Sequence, residues 1–266
     1  MLSLVLFSLL VTEAPVVPAP DTRDPRLVME AFAKRDLGDR ALGTMNMIIT
    51  GKNGRKRERS LRFRQLEASD HRKQIMHIVS PTSMRNTGFL SLDYEDGKKD
   101  DAQWLYLAGM HKTTRIATAE QSGSFLGSDL SYSDLTRMDT NLYEFELLSD
   151  EVVVDGEPCW LILARATDAR EAKKTGYLKS QLWISKKSLV AMQIKAWITK
   201  GKKLKYSKAH QVELIDGVWV TRRLVVRTVR GKEVLSTTEF RMDEVAFDRE
   251  EVQEVDFTKQ VLERGI

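Results

Sequence analysis

The hydrophobic pattern changes period once, early in the chain, and then holds. After Asp24 and Pro25, the residues Leu27, Val28, Ala31 and Phe32 share one side of a helical repeat, which predicts a helix ending near Gly38. From there apolar positions alternate. Residues 44–50 read as a strand with Met45 and Met47 on one side. Residues 59–66 set Leu61 and Phe63 against Arg62 and Arg64, the pattern of a half-buried strand. Residues 75–79, 89–94 and 103–107 continue the series, with Asn53-Gly54 as the first strong turn signal. Later strands flank short turns: 142–154 and 157–166 around Asp155-Gly156, 177–185 and 189–199 around residues 186–188, 205–215 and 218–229 around Asp216-Gly217, then 233–247. Roughly eleven strands at near-regular spacing predict a mainly β chain with few helices, built on one antiparallel up-and-down sheet. A sheet of that length curls, and its inner face needs cover.

One stretch breaks the alternation and supplies a candidate cover. Residues 104–135 read WLYLAGMHKTTRIATAEQSGSFLGSDLSYSDL. The strand at 103–107 is apolar on both faces, a basic stretch at 111–115 follows, and 125–135 mixes apolar side chains with hydroxyls and two carboxylates. Ser128 or Asp129 can cap one short helical turn, and Ser133 or Asp134 the next. The expectation is an ordered lid whose Phe125, Leu126, Leu130, Tyr132 and Leu135 face the interior. The helix at 24–38 covers the remainder, and residues 257–262 form a helical turn at the sheet edge.

Charge changes the picture little. Lys and Arg number 42 against 38 Asp and Glu, and the two signs are interleaved, so at most a mild preference for anionic surfaces follows. The basic runs at 55–59 and 200–208 fall at hairpin turns and lack the interleaved aromatics of a nucleic-acid surface, so no nucleic-acid partner is expected. Residues 2–11 form an apolar run too short to span a bilayer, followed by a Pro-rich spacer to Pro20. They read as a cleaved secretory signal, cut after Ala14 or Ala19, ahead of one domain over 21–266. A periplasmic location with peripheral membrane contact at most is the expectation. Cys159 is the only cysteine, so neither an intrachain disulfide nor a Cys-based metal site can form, and it reads as a buried small hydrophobe.

Candidate chemistry is sparse. His71, His77, His111 and His210 are scattered without ligand spacing, residues 51–56 lack phosphate-loop spacing, and no nucleophile elbow occurs. No enzymatic activity, cofactor or metal is expected. The strand residues Trp104, Tyr106, Trp183, Met192, Trp197 and Trp219 are instead placed to line an apolar cavity, or simply to fill a core.

The residues Trp104-Leu105-Tyr106-Leu107, then Arg115-Ile116, then 124–135 (SFLGSDLSYSDL), with a later hairpin over Gly176 to Ser185, resemble the LolA-like outer-membrane lipoprotein-sorting family. The resemblance extends over about residues 25–266 and is carried by specific motifs. Members are periplasmic and often encoded beside RND-type transporters. The resemblance implies an incomplete β-barrel wrapped around helices and loops, enclosing an apolar cavity. It implies a carrier for a lipid or a lipoprotein acyl chain, with Trp104, Tyr106, Arg115, Phe125, Leu126, Leu130, Tyr132, Trp183, Met192 and Trp197 at the cavity or lid. Each acyl methylene moved out of water would contribute ~0.8 kcal/mol. Arg115 matches the family's basic position, and would pair with Asp129 or Asp134 or meet a cargo head group. The alternative function is a ligand-free accessory subunit docked on a membrane transporter.

Overall fold

The computed structural model describes residues 20–68, 71–94 and 101–266; the N-terminal apolar run lies outside them. Thirteen antiparallel strands form one open sheet: β1 (Arg40–Gly51), β2 (Lys56–Glu67), β3 (His71–Ser80), β4 (Gly88–Tyr94), β5 (Ala102–Leu107), β6 (Lys112–Ile116), β7 (Tyr143–Val154), β8 (Glu157–Ala166), β9 (Tyr177–Ser185), β10 (Ala191–Ile198), β11 (Lys203–Ile215), β12 (Val218–Arg230) and β13 (Glu233–Ala246). Among the described residues three α-helices accompany them: α1 (Pro25–Ala33), α2 (Ala169–Thr175) and α3 (Lys259–Arg264).

The turns follow from local chemistry. Asp155-Gly156 and Asp216-Gly217 both take positive φ at the two positions, the backbone twist that closes a two-residue hairpin. The strand order departs from a simple meander at one point. β1 pairs with β13, which leaves β6 and β7 as the two edges of the sheet. The chain between those edges, residues 117–142, cannot be a hairpin and instead runs as short turns across the inner face. Where β1 meets β13 the register shifts at Thr44/Met45. Gly43 sits beside this bulge because a Cβ there would stand 2.2 Å from the Glu244 carbonyl oxygen and 2.7 Å from the Phe63 ring.

The inner face carries two apolar clusters. Met47, Ile49, Leu61, Phe63, Ile78 and Phe89 meet Phe125 in the first, and Leu126, Leu130, Tyr132 and Leu135 pack against it. Trp160, Ile162, Leu182 and Ile184 meet Val28 and Met29 of α1 in the second. α1 starts where Asp24 accepts a hydrogen bond from the Arg26 N–H at 2.8 Å, and Arg26 ties it to the Tyr143 carbonyl at 3.0 Å.

The outer face of β2–β5 is covered too. Leu66, Ile75, Leu90 and Tyr106 pack against Val252, Phe257 and Leu262, with Trp104 alongside. The C-terminal segment therefore lies on a face of the sheet, where the sequence suggested its edge. His77 is buried there, its Nε2 2.8 Å from the Leu262 carbonyl oxygen, and burial lowers its pKa. Cover on both faces explains why residues 103–107 are apolar on both.

Candidate functional site: a half-filled interior beneath a lid

The inner face is filled at one end and open at the other. Under β1–β5, Phe89, Phe125 and Tyr132 form a mutually packed aromatic trio with centroids 5.3–5.9 Å apart. Beyond the lid the aromatic filling gives way to aliphatic side chains and alanines. Ala164, Leu182, Ile194, Ala196, Leu224 and Met242 from the sheet, roofed by Phe32 and Leu37, enclose a cavity of about 550 Å³. That volume is in the range of small-molecule sites. Leu130, Leu135 and Met138 form its lid-side wall. A second, polar hollow of about 630 Å³ adjoins it, lined by Asp101, Asp168, Arg170 and Lys174 among others, and Arg137 and Glu171 border both.

The lid is tied down by backbone carbonyls and two carboxylates, Asp129 and Asp134. Leu126 (φ 48°) and Gly127 (φ 73°) are both left-handed, an unfavourable conformation for leucine, and their carbonyls accept from Arg59 and Arg57 of β2. Gln103 Nε2 donates to the Tyr132 carbonyl at 3.0 Å. Asp129 reaches the sheet wall: Thr228 donates to Oδ1 at 2.5 Å, Ser236 donates to the same oxygen, and Thr238 donates to Oδ2 at 2.7 Å. The Asp129 N–H returns a bond to Thr238 Oγ1 at 2.9 Å. Asp129→Asn replaces an ionic acceptor with an amide that must turn a donor toward hydroxyls. We expect a loss of about 1–3 kcal/mol in urea unfolding and faster proteolysis within residues 117–142; an unchanged cleavage rate would refute this anchoring role.

These contacts correct the expected capping. Ser128 follows the turn Phe125–Gly127 and Asp129 bonds β12 and β13, so neither opens a helical turn. Ser131 is the N-cap of the turn Tyr132–Leu135, and Asp134 closes back on it from inside, accepting the Ser131 N–H at 2.7 Å. Asp134 also accepts from Tyr177 Oη at 2.7 Å and from Lys205 Nζ at 2.8 Å, and Lys205 donates to Tyr177 Oη at 2.5 Å. Burial alone would raise the Asp134 pKa, but the Lys205 ammonium and these hydrogen bonds reverse this and hold it below the usual carboxylate value. The expected Arg115 ion pair is not formed. Arg115 stands exposed on the edge strand β6, while Asp129 takes hydroxyls and Asp134 takes Lys205.

The other candidate residues are dispersed. Leu130 alone of the ten proposed cavity or lid residues lines the cavity; Phe125, Leu126 and Tyr132 pack in the neighbouring filled half. Trp104 and Tyr106 lie on the outer face beneath the C-terminal segment, with Lys259 Nζ 5.1 Å from the Trp104 ring centroid. Met192 is buried with Cys159, Val190 and Ala209, and Trp183 and Trp219 pack against that cluster. Trp197 sits under the Lys179 and Lys195 ammoniums, 4.8 and 4.5 Å from its ring centroid.

The strongest concentration of charge at the cavity comes from three positions far apart in sequence. Arg72 meets Asp93 at 3.2 Å and Arg137 meets Glu67 at 2.6 Å. Arg35, in the turn after α1, donates to the Phe32 carbonyl at 3.0 Å and has no carboxylate within ion-pair distance among the described residues. No spacing signal links 35, 72 and 137. Among the described residues there is no group of three or more His, Cys, Asp or Glu placed to hold a metal ion.

A family model described only as "uncharacterized protein" matches residues 70–264, the greater part of the chain. The chain belongs to this family. No curated protein matches the family member significantly in sequence. Among solved structures, it is similar to a Vibrio parahaemolyticus domain whose name provisionally assigns it to outer membrane lipoprotein sorting. The TM-score is 0.79 at 25% identity, covering 90% of this chain and 98% of that one. A family protein of unknown function from Desulfovibrio piger aligns with TM-score 0.77 at 23% identity, over 90% of this chain and 96% of that one. A LolA-superfamily protein from Nitrosomonas europaea aligns with TM-score 0.64 at 16% identity, over 89% and 98%. The family member thus has the LolA-superfamily fold, an open and mainly β sheet with few helices.

Proposed function

We propose that the protein is a periplasmic carrier that shields a hydrophobic cargo, a lipid or a lipoprotein acyl chain, in the cavity beneath its lid. The observation that carries this reading is the contrast within one inner face. The lid and its aromatic trio fill one half, while aliphatic side chains and alanines leave about 550 Å³ open in the other. A filled interior would favour the ligand-free accessory role; an apolar void of this size fits a chain-like ligand, whose burial contributes ~0.8 kcal/mol per methylene. The name of the Vibrio domain points the same way. No helix of the described residues is long and apolar enough to cross a membrane, which suits a carrier that moves between membranes. An RND-type transporter is the proposed donor or acceptor. The proposal includes a cleaved signal and spacer over residues 1–20, one domain over 21–266, and no chemical step.

The test is native mass spectrometry on protein exported to a Gram-negative periplasm and purified without detergent. A stoichiometric lipid adduct is expected, and it should be weakened in Ile194→Trp, which narrows the void. A clean apo mass, together with no uptake of a fluorescent acyl probe from vesicles, would reject the carrier reading.

A further inference from the structure

The cavity is not uniformly apolar, and its polar end is unbalanced. Lys205 is matched by Asp134 at 2.8 Å, Arg72 by Asp93 and Arg137 by Glu67. Arg35 has no such match, although it lines the same cavity. One Arg35 N–H donates to the Phe32 carbonyl, and the guanidinium carbon lies 4.8 Å from the Phe32 ring centroid. Its Nε is buried with no hydrogen-bond partner. The side chain is partly accessible and lines the cavity. Desolvation, with Arg72 and Arg137 close by, pushes its pKa down to about 10. A largely desolvated cation with no carboxylate beside it is unfavourable unless something anionic meets its accessible edge.

We infer that the cargo is a single-chain amphiphile with an anionic head group, carboxylate or phosphate, seated on Arg35 within the field of Arg72 and Arg137 while its chain lies along the apolar wall. This rests on the carrier reading and narrows it. The guanidinium fork presents donors in the plane that a carboxylate or phosphate accepts, and charge-assisted hydrogen bonds of this kind are among the stronger ones available. Arg72 and Arg137 contribute positive potential while their carboxylates hold them in place. Ala164, Ala196, Leu182 and Ile194 supply apolar wall in the same cavity for the chain.

The experiment is calorimetric titration of the delipidated full chain with four probes of equal chain length: palmitate, hexadecyl phosphate, monopalmitoylglycerol and hexadecyltrimethylammonium. Palmitate and hexadecyl phosphate should each bind on the order of tenfold tighter than the neutral ester, and the cationic probe weakest. A difference between the two anions would identify which head group is native. Arg35→Met should erase the anion preference, read as the ratio of the anionic probes' affinities to the neutral ester's, and Arg35→Lys should keep part of it. Arg35→Met should also raise the unfolding midpoint of the empty protein, because it removes an uncompensated buried charge, so loss of folding is not the anticipated confounder. Arg35→Gln serves as a second variant, with circular dichroism as the check on the fold. Equal affinity for neutral and anionic probes would overturn the anionic seat and leave the carrier reading standing. An anion preference that survives in Arg35→Met would overturn the seat in the same way. Binding of none of the four would overturn both.

Discussion

Phe125→Ala should lower the stability of the protein by about 3–5 kcal/mol, and Phe125→Asp by more. Phe125 is 1% exposed, packs edge-on against Phe89 at 5.3 Å and Tyr132 at 5.9 Å, and sits where the lid enters the sheet. Truncation leaves a hole between the lid and β4 that cannot collapse easily, because Leu126 and Gly127 beyond it are already held in left-handed conformations by Arg59 and Arg57. The aspartate adds an unpaired charge among Met47, Phe63 and Phe89. A domain with a typical total of about 5–15 kcal/mol would lose a large fraction of it. Urea unfolding followed by tryptophan fluorescence measures the change, and hydrogen exchange across residues 117–142 tells whether the lid opens before the sheet. A loss below about 1 kcal/mol for Phe125→Ala would show that the aromatic trio is not what holds the lid.

Why Phe125 could be singled out from sequence, and Arg35 could not, is a matter of range. Alternation within a strand and a run of apolar residues among hydroxyls are local signals, so β1 to β5, the later hairpins and the inward face of 125–135 were all legible. The pairing of β1 with β13 was not, because nothing in either strand names its partner, and only that pairing makes β6 and β7 the edges. The strand at 103–107 shows the intermediate case. Its two apolar faces announced burial on both sides, but not which side met the lid. Trp104 and Tyr106 turned out to serve the C-terminal segment while Leu105 faces the lid-side cluster. Short polar elements escaped as well. α2 has no apolar face to betray it, and β6 reads as a basic stretch because an edge strand tolerates Lys and Thr. The arginines at 35, 72 and 137 come from a helix end, a strand and the lid's exit, and only the folded sheet brings them to one cavity.

The second large effect is expected at the buried latch of Asp134, Tyr177 and Lys205, which joins the lid to β9 and β11. Lys205→Met removes the ammonium paired with Asp134 and leaves its carboxylate with the Ser131 N–H and the Tyr177 hydroxyl. Breaking one partner of a buried pair typically costs about 3–5 kcal/mol, and the lower end applies here because Asp134 keeps some access to the cavity. Asp134→Leu combined with Lys205→Met should recover most of that loss, since removing both charges also removes their desolvation. The sign of the pH dependence is fixed by the depressed carboxylate. A group whose folded pKa lies below its unfolded value contributes stability above the unfolded value, about 3.8, and that contribution is lost as pH falls through the folded one. Wild type should therefore lose stability from this site below about pH 4, while the double variant should lack this part of the acid slope. Thermal midpoints across pH 3–7 for the four members of the cycle test both statements. If Lys205→Met and the double variant unfold at the same temperature, the carboxylate is not left stranded and the latch is not an ion pair in any energetic sense. If instead the single variant alone collapses, the lid is held over the cavity by charge at this point, and acid becomes a practical way to open it without touching the apolar wall.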